Sequence, residues 1–90
     1  MHEASLLKSL MRKIESVAKS SASPKVVAVK VRLGALSHFS EEHFREHFEM
    51  SSKGTVADGA RLSVVLMTDT QDPLAQDVVL ESVEVANTAT

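Results

Sequence analysis

KVVAVKVRLGALSHFSEEHFREHFEMSS, residues 25–52, changes its apolar period part-way through, and that change sets the fold. Up to Leu33 the apolar side chains alternate. Val27, Val29, Val31 and Leu33 fall on one face and Ala28, Lys30 and Arg32 on the other, the period-two pattern of a strand with one buried side. Gly34 interrupts it. From Glu41 the spacing lengthens to a helical turn, so that Phe44 and Phe48 share one face of a helix over about 41–52. Ser40 is placed to cap that helix, Glu41 and Glu42 to meet the positive end of its dipole, and Gly54 to close it.

Upstream, Leu6, Leu7, Leu10, Met11, Ile14, Val17 and Ala18 recur at the 3–4 spacing of an amphipathic helix, with Lys8, Arg12, Lys13 and Lys19 off the stripe. Ser20-Ser21-Ala22-Ser23-Pro24 ends it, because proline disfavours helical geometry at the residue before it and offers no amide hydrogen. Downstream, RLSVVLM reads as a strand alternating on Leu62, Val64 and Leu66. The polar stretch TDTQDPLAQD then turns at Asp69 and Asp72-Pro73; it lacks the glycine and the bidentate glutamate of a helix-loop-helix calcium site. VVLESVEV makes a third strand whose alternation breaks near Ser82, which leaves its buried face open, and ANTAT is a frayed tail. The order α-β-α-β-β implies an α+β fold with two helices packed on one face of a three-stranded sheet. The strand after the second helix can run either way, so a mixed sheet is expected. We expect one domain over residues 1–86, with 87–90 as its tail.

Ninety residues, 43% hydrophobic and 24% charged, suit one core with no large internal cavity. Ten Lys and Arg against twelve Asp and Glu leave a net charge of −2, with no basic cluster and no aromatic interleaving, which argues against nucleic acid. The absence of cysteine removes disulfides, thiolate zinc and cysteine nucleophiles together. No run approaches the roughly 20 apolar residues of a membrane span, and no leader pattern opens the chain, so cytoplasmic residence and no membrane association are expected. No phosphate-binding glycine loop or nucleophile elbow is present, and no enzymatic activity is expected.

Two groups of residues could carry metal chemistry. In Met1-His2-Glu3 the α-amine, the deprotonated His2 amide and the His2 imidazole can close two fused chelate rings on one ion, with a further position for Glu3. Such nitrogen-rich planar coordination suits Ni(II) or Cu(II). On the alternative reading His2 is there by chance and Glu3 serves the helix dipole; the residues alone leave both open. His38, with Glu41 and Glu42 just beyond, could add outer ligands, although loops commonly hold such residues. The second group, His43 to His47, matches the H-x-x-E-H pattern of inverted zinc peptidases. A peptidase needs a third ligand and a substrate cleft, so His43, Glu46 and His47 are read instead as the flank of an amphipathic helix.

MHEASL, VKVRLGALS, HFE leading to KGTVADGARL, and LESVEV, in that order over nearly the whole chain, resemble the HypA/HybF family of hydrogenase nickel metallochaperones. The resemblance implies a nickel-binding domain of two helices over a three-stranded mixed sheet, with Ni(II) held by the Met1 amine, the His2 side chain and amide, and Glu3. It further implies delivery of nickel to the large subunit of [NiFe] hydrogenase, usually beside the GTPase HypB, with urease maturation served by some members. A homodimer is also a candidate assembly.

The chain departs from that family twice. Members typically insert a zinc lobe with two C-x-x-C pairs between the last two strands, where this sequence has only TDTQDPLAQD, so no structural zinc is expected. Some relatives also carry an aspartate near the start of the second helix as a further nickel ligand. Here Ser40, Glu41 and Glu42 occupy that stretch, and either glutamate is a candidate substitute. The competing function is a metal-independent docking or scaffold protein for the maturation machinery, which the missing lobe favours and the intact Met-His-Glu opposes.

Overall fold

A computed structural model describes residues 3–21, 25–37 and 40–86, with the backbone alone for residues 3 and 4. The chain forms helix α1 (Glu3–Ser20), strand β1 (Val26–Leu33), helix α2 (Glu41–Ser52), strand β2 (Arg61–Leu66) and strand β3 (Val78–Val85). The strands make one sheet of order β2-β1-β3 in which β1 is parallel to β2 and antiparallel to β3. The parallel pair is joined through α2, since a parallel connection needs a crossover rather than a tight turn. Both helices pack on one face of this mixed sheet.

The core is built from Leu7, Leu10, Met11, Ile14 and Ala18 of α1, Phe44 and Phe48 of α2, and Val26, Val29, Val31 and Leu33 of β1. Each fully buried large apolar side chain contributes about 1.5–3 kcal/mol before ordering entropy is charged against it. The α1 stripe runs as its spacing predicts at Leu7, Leu10, Met11, Ile14 and Ala18, whereas Leu6 is only half-buried and Val17, at its margin, is 38% exposed.

Two bulges decide the faces of β1 and β3. Val26 pairs with Val85 and Ala28 with Glu84, so Val27 is an extra residue on β1; Lys30 pairs with Ser82 and Val31 with Leu80, so Glu81 is an extra residue on β3. An extra residue turns the side chains that precede it over to the other face. Val26 is consequently buried and Val27 is 39% exposed, which corrects the plain alternation expected from the sequence. The second bulge explains the broken pattern near Ser82. Val78 and Leu80 before it, and Val83 and Val85 after it, all pack on the core. Leu62 and Val64 of β2 join them, whereas Leu66, expected on the same face, is 53% exposed because core cover ends at Val64.

The connection after β2 folds back over the end of β1. Asp69 Oδ1 accepts from Gln71 N at 2.9 Å and Asp72 Oδ1 from Leu74 N at 2.8 Å, the Asx turns expected of this stretch. Leu36 N donates to Ala75 O at 2.6 Å and Gly34 N to Asp77 O at 2.9 Å. Ala75 is buried against this contact. Among the described residues no helix is long and apolar enough to cross a membrane.

Candidate metal centre

α2 begins where Leu33, Gly34 and the following loop deliver the chain to Ser40. Ser40 has extended backbone (φ −84°, ψ 154°), and its Oγ accepts from His43 N at 3.1 Å while its carbonyl accepts from Phe44 N at 3.0 Å. This is the N-cap geometry expected from the sequence. Glu41 and Glu42 occupy the first turn, where carboxylates meet the positive end of the helix dipole.

The two glutamates are not equivalent. Glu41 Oε2 lies 3.0 Å from Arg45 Nε, one turn on, and Arg45 Nη1 donates to Leu62 O at 2.8 Å, so this carboxylate is tied through Arg45 to β2. The ion pair is about two-fifths exposed at both ends and weak by itself; the second bond to the strand fixes its direction. Glu42 is exposed, and no ion pair engages it among the described residues. Sequence reasoning missed Arg45, although the Glu-x-x-x-Arg spacing announces such a pair.

Met1, His2 and His38 lie outside the described residues. Glu3 is the first residue of α1, described by its backbone alone. His43 is exposed and His47 half-buried, with ring centroids 6.5 Å apart and ring planes at 82°. Among the described residues no three His, Cys, Asp or Glu side chains stand together in a way that could hold a metal ion. The H-x-x-E-H pattern therefore does not assemble a peptidase centre in this part of the chain.

A family profile described as hydrogenase/urease nickel incorporation, metallochaperone, hypA matches residues 1–71 of the chain. The chain belongs to the HypA family. Among curated members, the hydrogenase maturation factor HypA of Methylocella silvestris is 38% identical over 64 residues, covering 71% of this chain and 57% of that protein. The HypA of Archaeoglobus fulgidus is 34% identical over 64 residues, covering 71% of this chain and 58% of its own. The chain thus spans a little under three-fifths of the length of these HypA relatives. The solution structure of the Ni metallochaperone HypA from Helicobacter pylori shares the fold at a TM-score of 0.77 and 22% identity, covering 94% of this chain and 97% of that one. The stretch matched by the HypA profile ends inside the connection between β2 and β3.

Proposed function

We propose that the chain is a nickel carrier for [NiFe] hydrogenase maturation, holding Ni(II) through the Met1 amine, the His2 amide and imidazole, and Glu3. The observation that carries this reading is the match to the nickel-incorporation family from residue 1 onward, which includes the tripeptide itself. Glu42, exposed and outside any ion pair among the described residues, is a better further donor than Glu41, which Arg45 engages. His38, two residues before the cap, is a second candidate. The proposed acceptor is the hydrogenase large subunit, with the GTPase HypB as an accessory partner. The chain carries no cysteine, so a thiolate zinc lobe has no part in the proposal.

Release would proceed by ligand exchange, since an exposed chelate of amine, amide and imidazole can be dismantled one donor at a time by an incoming ligand. Each of those donors must lose a proton to bind, so acid opposes the site. The test is Ni(II) titration of the untagged chain beside His2→Ala and a form with one glycine added before Met1. One tightly held nickel, lost in His2→Ala, altered in spectrum by the added glycine, and released as pH falls through the ordinary imidazole value of about 6.5, is expected. Equal tight binding by all three proteins would refute the site.

A further inference from the structure

We propose that His43 and His47 form a second, two-donor site for a borderline divalent transition metal on the flank of α2. The two residues stand four apart in a regular helix, which places both imidazoles on one side of it. Their rings already meet, at a centroid separation of 6.5 Å. An ion bound at about 2.0–2.1 Å by one nitrogen of each ring draws the centroids to roughly 5 Å. A gap of that size lies within the reach of side-chain torsions one helical turn apart, with the helix backbone unmoved.

The backbone beneath is fixed on both sides of each histidine. Phe44 and Phe48, the residues next in sequence, are 1% and 2% exposed, and their rings stack at 6.4 Å. Ser40 caps the turn from which His43 projects. Donors carried on so rigid an element keep their spacing without a ligand present.

Position around the helix also separates this flank from the charged one. Glu41 and Arg45 lie on the side that reaches Leu62 of β2, whereas His43 and His47 lie on the opposite side of the Phe44–Phe48 stripe. Further along the same flank, Ser51 borders a surface depression shared with Met11 and Glu15 of α1. An ion there does not compete with the Arg45 pair. With no third donor grouped beside them among the described residues, the remaining coordination positions stay open to water or to an incoming ligand. Two imidazoles select nickel, copper or zinc rather than calcium or magnesium, which prefer oxygen.

The existence of this site rests on α2 alone. Its use as a first landing point for the ion rests on the function proposed above. The experiment separates the two by working in a His2→Ala, His38→Ala chain, where His43 and His47 are the only imidazoles left of four. Ni(II) is titrated into this protein and followed by two-dimensional NMR. Paramagnetic broadening centred on residues 43–47 and saturating at one nickel per chain is expected. Adding His43→Ala, an exposed position, should weaken the response by about tenfold or more, because the second metal bond gains its strength from being intramolecular. His47→Gln should do the same. Absence of broadening there, or broadening untouched by His43→Ala, overturns the site whatever the N-terminal tripeptide is found to bind.

Discussion

At Gly34 a single hydrogen decides whether the end of the sheet can close. A Cβ placed there would lie 2.2 Å from Ala75 O and 2.6 Å from Leu74 O, both backbone atoms. No side-chain rotation relieves such a clash, so the loop would have to lift off, breaking the Leu36–Ala75 and Gly34–Asp77 bonds. Gly34→Ala should cost about 2–3 kcal/mol, the upper range for overpacking, read as a lowered urea midpoint. Ala75→Gly should not restore it, because the obstructing atoms are backbone. Recovery by that second change would mean that the loop packs through the Ala75 methyl instead. From sequence, Gly34 is legible only as the end of a strand; its closest neighbour is 41 residues away along the chain.

Among elements, α2 is the most legible and β1 the most instructive. The cap, the acidic first turn and the two phenylalanines each act locally, so α2 runs over Glu41–Ser52 as its residues alone imply. A bulge is different: it exists only between two strands, and nothing within β1 announces that Val27 will be the unpaired residue. In β3 the broken alternation near Ser82 does register in the sequence, but its meaning waits on the partner. Mutation distinguishes the bulged from the plain strand. Val26→Ala should destabilise the protein by about 2 kcal/mol as a buried truncation, and Val27→Ala by less than about 0.5 kcal/mol. The reverse order in denaturation midpoints would restore the unbroken alternation. The candidate metal centre is legible in a different sense. The site proposed at Met-His-Glu draws on three adjacent residues and so needs no fold to be read, whereas the inequality of Glu41 and Glu42 depends on where Arg45 finds Leu62.

For the molecule as a whole, one core joins both helices to all three strands. Among the described residues the connection between β2 and β3 is secured by its own Asx turns and by backbone bonds to Gly34 and Leu36. Thermal unfolding of the chain prepared without nickel should therefore be a single transition, with coincident helix and sheet signals, and a strong chelator should leave that midpoint unchanged. A chelator-induced drop of several degrees would reveal a structural ion.

The two ends of that connection have a consequence for how such a chain can be lengthened. Leu66 and Val78 both pair with Leu33, one from each side, so the chain leaves and re-enters the sheet across two strand spacings, about 10 Å. A segment whose own termini lie that far apart can be spliced in without shifting either strand, and each doubling of a flexible loop costs only about 0.6 kcal/mol. The junction is thus a port: a fluorescent or affinity module inserted between Asp69 and Asp72 would ride on the sheet at the end from which β1 hands the chain on to α2.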